Sequence, residues 1–206
     1  MAVTINASTT SGLVMTSDLS GTLTLQSNGT TVATASSSGL AISTYNPSAS
    51  LITSGTAVAS TSGTSIDFTS IPSWVKRITV MFNGVSTNGS SNYLVQIGAG
   101  SVTTSGYLGS SSLIGASSVS SAAFTTGFGV NQVASGTAFT FTGNLTLTTL
   151  GSNIWTASGV IARTDGAGTM TTSGNITLSG TLDRVRITTV NGTDTFDAGS
   201  INILYE

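Results

Sequence analysis

From residue 64 onward, apolar and polar positions alternate in short runs, the period-two pattern of strands that bury one face. Ile66 and Phe68 alternate first. In IPSWVKRITVMFNGV, Ile78, Val80 and Phe82 fall on one face, with Arg77, Thr79 and Met81 on the other. Tyr93, Val95 and Ile97 follow, then Phe139 and Phe141, Leu145 and Leu147, Ile176 and Leu178, Val185 and Ile187, and Ile201, Ile203 and Tyr205. GSN at 151–153 and Asp165-Gly166 read as turns. Residues 98–121, rich in Gly and Ser, predict long loops with short strands. Glu and Lys occur once each, and Ala shows no helical period, so helices are not expected. About eight to ten strands with regular turn signals predict an all-β chain built around an antiparallel, jelly-roll-like β-sandwich over residues 64–206.

The first part of the chain reads differently. Residues 1–62 hold one charge, Asp18, and no Trp or Phe. In GTLTLQSNGTTVATA, Asn28-Gly29 suits a two-residue type I′ turn, because both residues tolerate positive φ. The fold about it puts Leu25 opposite Val32 and Gln26 opposite Thr31, giving a hairpin with an apolar stripe of Leu23, Leu25 and Val32. Short strands are also expected at 2–5, 13–16 and 40–43. A lone hairpin is marginal in water, so it needs a surface to lie on. Residues 1–48 are therefore read as a docking or oligomerisation segment, and 49–63, with its many small residues, as a linker.

Composition removes several functions. Charged residues are 6% of the chain, against about 25% in ordinary soluble domains, while Ser and Thr together number 73 of 206. Without Cys or His there is no thiolate nucleophile, no imidazole base and no Cys- or His-based metal site. Five basic residues are too few for a phosphate-binding footprint, so no nucleic-acid partner is expected. No apolar run approaches the ~20 residues of a membrane helix, and no membrane insertion is expected. A free sandwich protects its edge strands with charge or Pro. One Lys and two Pro leave little for that purpose, so the chain is expected to be a homo-oligomer or part of a larger assembly.

Candidate chemistry is sparse. The acids Asp67, Asp165, Asp183, Asp194, Asp197 and Glu206 sit in no recognisable paired-carboxylate motif, so no catalytic residues, enzyme activity or cofactor are expected. Asn191, Asp194 and Asp197 share one loop whose oxygens pose the question of a bound cation, the other reading being a polar turn. Trp74, Tyr93, Tyr107 and Trp155 are candidates to stack on a sugar ring; for the two Trp residues, packing at a sandwich end is the competing reading. Arg77, Arg184 and Arg186, with Lys76, form a basic stripe if their two strands are neighbours.

Several stretches carry a family resemblance. SGLVMTSDLSGTLTLQSNGTTVATASSSGLAIS resembles N-terminal segments of tailed-bacteriophage virion proteins. IDFTSIPSWVKRITVMFNGVSTNGSSNYLVQIG and LSGTLDRVRITTVNGTDTFDAGSINILYE resemble a module at the C-terminal end of phage tail-fibre and minor structural proteins. The resemblance implies a structural part of a virion, made in the bacterial host cytoplasm and often trimeric. Its short N-terminal piece would dock on other virion proteins, and its β-rich C-terminal domain would be displayed, with a host-surface glycan as partner. Two parts fit that description: a short tail fibre, and a capsid decoration (cement) protein on the head. The chain has no coiled-coil heptads and no repetitive shaft, which departs from a long fibre.

Overall fold

The computed structural model describes residues 21–42, 52–132 and 139–206. The chain divides into two units, Met1–Ser50 and Leu51–Glu206. Among the described residues there is no helix.

The first unit is a three-stranded antiparallel meander of β1 (Leu23–Ser27), β2 (Thr30–Ser36) and β3 (Gly39–Ile42). Asn28 and Gly29 take φ of 50° and 76°, the two left-handed residues that a type I′ turn requires. Gln26 pairs with Thr31, as the turn dictates. Leu25, however, pairs with Ala33 and not with Val32. A bulge after Leu25 makes Val32 the extra residue, so it leaves the predicted stripe. The apolar rows are instead Leu23–Ala35–Leu40 and Leu25–Ala33, which share one face. The strand expected at 40–43 is β3; those expected at 2–5 and 13–16 lie outside the described residues.

The second unit holds two sheets. Its strands in chain order are β4 (Thr53–Ser54), β5 (Val58–Ala59), β6 (Ile66–Thr69), β7 (Arg77–Thr87), β8 (Tyr93–Ala99), β9 (Ser101–Val102), β10 (Leu108–Gly115) and β11 (Val119–Phe124). Then come β12 (Phe128–Gly129), β13 (Phe141–Gly151), β14 (Ile154–Arg163), β15 (Gly168–Thr177), β16 (Arg184–Thr189) and β17 (Phe196–Tyr205). The nine-stranded sheet runs β11-β10-β15-β14-β13-β7-β17-β4, with β5 also on β17; the five-stranded sheet runs β12-β8-β16-β6, with β9 on β8. Pairs are nested: β7 with β17, β8 with β16, β10 with β15. A ribbon folded over on itself in this way is the jelly-roll-like sandwich expected from the strand spacing. The β13–β14–β15 meander widens the larger sheet.

Alternation sets the core. Ile78, Val80, Leu145, Leu147 and Ile161 of the larger sheet meet Val95, Ile97, Val185 and Ile187 of the smaller one, all fully buried. Each such side chain contributes about 1.5–3 kcal/mol by leaving water. Tyr93 bridges the layers, its ring edge-on to Phe141 with centroids 5.2 Å apart.

Two expectations are corrected here. Residues 53–59, read as linker, form β4 and β5 and lie antiparallel along β17, so the unit boundary falls at 50/51. Small residues suit such a strand because the chain must lie flat on the sheet edge: a Cβ on Gly55 would stand 3.0 Å from both the Asn202 side chain and Ile203 Cγ1. Residues 108–124, most of them in the stretch 98–121 read as long loops with short strands, form the β10–β11 hairpin of eight- and six-residue strands. Ser and Gly hold positions where an apolar residue would have revealed the alternation. Ser111 points inward, fully buried, and its hydroxyl has no hydrogen-bond partner. Ser111→Ala removes that uncompensated hydroxyl and is expected to leave stability unchanged or raise it by about 1 kcal/mol in urea unfolding; a loss would mean the hydroxyl is bonded after all.

Candidate functional site

The candidate site is a groove of about 350 Å³ on the outer face of the five-stranded sheet. Val185 and Ile187 of β16 point into the core, so alternation sends Arg186 and Thr188 outward. Register sets Arg186 opposite Gln96 on β8 and opposite Asp67 on β6, and sets Thr188 opposite Leu94. These residues form the floor. Thr64 and Ser65 wall one side, Thr104 and Thr126 the other, and Asn191 closes one end.

The walls are held by backbone bonds. Gln96, only 6% exposed, donates its side-chain amide to the Thr126 carbonyl at 2.8 Å. The Thr188 hydroxyl donates to the Thr64 carbonyl at 2.8 Å. Gly127 lies so close over the floor that a Cβ there would stand 3.0 Å from Leu94 and 3.1 Å from Gln96. Arg186 holds Asp67 through two bonds, 2.7 and 3.0 Å, and this contact raises its pKa above the ordinary arginine value. The lining supplies hydroxyls, amides and one guanidinium, the groups that hydrogen-bond a hydroxylated ligand.

The loop 191–197 is closed on itself. Asn191 Oδ1 accepts from Thr189 Oγ1 and from the amides of Thr193 and Asp194, at 2.8, 3.1 and 3.2 Å. Its amide group donates to Asp194 Oδ1, and Asp194 Oδ2 accepts from the Ser91 amide at 2.9 Å. Asp197 takes the Ser86 hydroxyl. The oxygens considered for a cation are thus aimed at protein donors. Among the described residues, no cluster of three Asp or Glu side chains is arranged to hold a metal.

The predicted site residues scatter. Trp155, Tyr93 and Tyr107 are buried, at 4%, 2% and 0% exposure, and their rings offer no platform to a ligand. They lie on inward positions of strands or, for Tyr107, under the Phe128 ring, where large aromatic area is most stabilising. Trp74 keeps a 49% exposed ring and leans on Tyr205, centroids 5.9 Å apart; it lies before β7 and does not line the groove. The basic stripe does not form. Arg77 is on β7 of the larger sheet, while Arg184 and Arg186 are on β16 of the smaller one. Each is neutralised separately: Arg77 by Glu206, Arg184 by Asp183 at 2.7 Å, Arg186 by Asp67. The Arg184 contact holds the Asp183 carboxyl below its ordinary value, and Arg163 does the same for Asp165. Reading outward positions on 94–96 and 186–188 as one row would have found the groove, but that needs the β8–β16 register.

Burial pushes the Tyr93 and Tyr107 hydroxyls up to about 12. A raised folded-state value stabilises fully below the unfolded tyrosine pKa of about 10 and is lost as pH climbs toward 12. The fold is therefore expected to resist alkali until pH passes about 10 and then to lose stability steeply. In a Tyr45→Phe, Tyr205→Phe double variant, which keeps Tyr93 and Tyr107 as its two tyrosines, tyrosinate absorbance is expected to rise together with loss of circular dichroism. Absorbance that rises first in that variant, with the fold intact, would show the two phenols accessible.

No protein-family model, no curated protein and no solved structure matches this chain.

Proposed function

We propose that this chain is a non-enzymatic structural protein of a tailed-bacteriophage virion, a short tail fibre whose sandwich is displayed for attachment to the host surface. The observation that carries the reading is the contrast between the two units. In the meander, Leu23, Leu25 and Leu40 stand 37%, 50% and 68% exposed on one face. A face of that kind on so small a sheet calls for a partner: other virion proteins, or copies of the same segment in a homotrimer. The sandwich buries its own core and needs no such cover. The groove beside Arg186 gives the displayed unit a place for a host-surface glycan, bound by hydrogen bonds rather than by stacked aromatics.

A capsid decoration protein is the second reading. It is favoured by the larger sheet, which turns an outer face of Thr, Ser and Asn toward its surroundings with Arg77 at one corner, a surface suited to broad contact with a shell. Immunogold electron microscopy of intact virions, with antibody against residues 64–206, separates the two. Label confined to the tail supports the fibre. Label spread over the head makes it a decoration protein, and absence of label from particles overturns both.

A further inference from the structure

Every open β-sheet has two ends, and natural sheets blunt them with short strands, charge, or cover. Three of the four ends in this sandwich are treated so. Beyond β17 lie β4 and β5, two residues each. The five-stranded sheet ends on one side in β12, two residues long, and on the other in β6, four residues long and carrying Asp67 in its ion pair. The fourth end is β11. It is six residues long, VSSAAF, with no charge and no Pro, and among the described residues no strand pairs with its outer side.

Its surroundings are equally unguarded. No Asp, Glu, Lys or Arg occurs between residues 78 and 162, a span that includes β10, β11 and most of β14. Val119 and Ile114 face each other across the β10–β11 pair and are 77% and 55% exposed. Val160, one strand beyond β15, is 53% exposed.

We propose that β11 is a pairing edge for a second copy of this chain. Two β11 strands would run antiparallel about a two-fold axis and join two nine-stranded sheets into one. The occupant follows from charge. A two-fold contact pairs residue i with j and j with i, and only residues at the axis meet their own symmetry mates, so a charge at the centre of the edge would meet its like. An edge without charge at its centre can pair with itself free of that repulsion, whereas one that receives a different protein gains by carrying charge for it to match. The long uncharged span centred on this edge meets the first condition. A strand of six residues is about 20 Å long. With Val119 on it and Ile114 beside it, it offers a small contact, so pairing is expected to depend on concentration. This inference stands apart from the virion reading.

Sedimentation velocity of the full chain over a concentration series tests it, with Ser121→Lys as the edge variant and Ser173→Lys as the control on the middle of the outer face. Both positions are exposed, so unchanged circular dichroism is expected for each. If the edge pairs, Ser121→Lys halves the mass of the largest species, from dimer to monomer or from hexamer to trimer if the meander holds three chains, and Ser173→Lys leaves it unchanged. A mass that Ser121→Lys does not alter overturns the proposal, as does a wild-type chain already monomeric or trimeric at every concentration. Loss of association in Ser173→Lys alone would show copies stacking through their faces and would overturn edge pairing. Hydrogen exchange gives a second reading: β11 amides become more protected as concentration rises if the edge pairs, and stay unchanged if it does not.

Discussion

Tyr107→Ala is expected to lower the stability of the sandwich by about 3–5 kcal/mol, a large share of the roughly 5–15 kcal/mol that holds an ordinary domain folded. Tyr107 has no exposed surface, and its ring stands edge-on to Phe128 at 4.9 Å between centroids. Its hydroxyl accepts the Ile97 amide at 2.8 Å and lies 3.0 Å from the Thr103 carbonyl. The alanine variant leaves a large cavity and two backbone groups without that partner. Tyr107→Phe separates the contributions. It keeps the ring and removes only the hydroxyl, so it is expected to cost about 1–3 kcal/mol. Urea unfolding of the three proteins should give midpoints in the order wild type, Phe, Ala. Equal midpoints for Phe and wild type would mean that the hydroxyl is not needed by Ile97.

Gly199→Ala is the second large effect, for a different reason. β17 carries two irregularities against β7, between Phe196 and Ala198 and between Ala198 and Ser200, and Gly199 sits in the second with φ of 90°. A Cβ there would run into the Gly84 carbonyl and lie 2.6 Å from the Asn83 carbonyl. Both obstacles are backbone and cannot rotate away. Left-handed strain of about 1–2 kcal/mol adds to overpacking of about 1–3 kcal/mol. Gly192→Ala is the matched control, since φ is 68° and nothing lies within 4 Å of the added carbon. Thermal unfolding is expected to show a modest drop for Gly192→Ala and a severe one for Gly199→Ala; similar drops would leave the clash without effect.

Strands with apolar residues on every second position were legible from the sequence. Ile78, Val80, Val185, Ile187, Ile201 and Ile203 are all buried as their alternation required. Asn28-Gly29 was legible because few residues other than Gly and Asn tolerate positive φ at both turn positions. β10 and β11 were hidden because serine occupies inward and outward positions alike, so period two leaves no contrast. The site was legible in part. Arg186 was singled out, and Thr188 shares its face two residues on, but Gln96 and Thr126 come from other stretches, and only the pairing of β8 with β16 brings Gln96 alongside. The aromatics misled for a general reason: Tyr and Trp serve equally well as core and as platform, and only burial distinguishes them.

The segment that covers β17 has a mechanical consequence. Residues 53–63 are fastened to the C-terminal strand by a few bonds: Gly55 to the Ile203 carbonyl at 2.8 Å, Ser60 to Gly199 and Ala198, and Phe196 to the Gly63 carbonyl at 2.9 Å. A pull on the chain ahead of this segment loads those bonds before it reaches β6, paired with β16, and the long β7–β17 ladder beyond it. They would open one after another, releasing about eleven residues, roughly 35–40 Å of slack, while the sheets stay closed. The same short strands that seal the sheet edge would thus act as a shock absorber, yielding under load and zipping back when the load is gone.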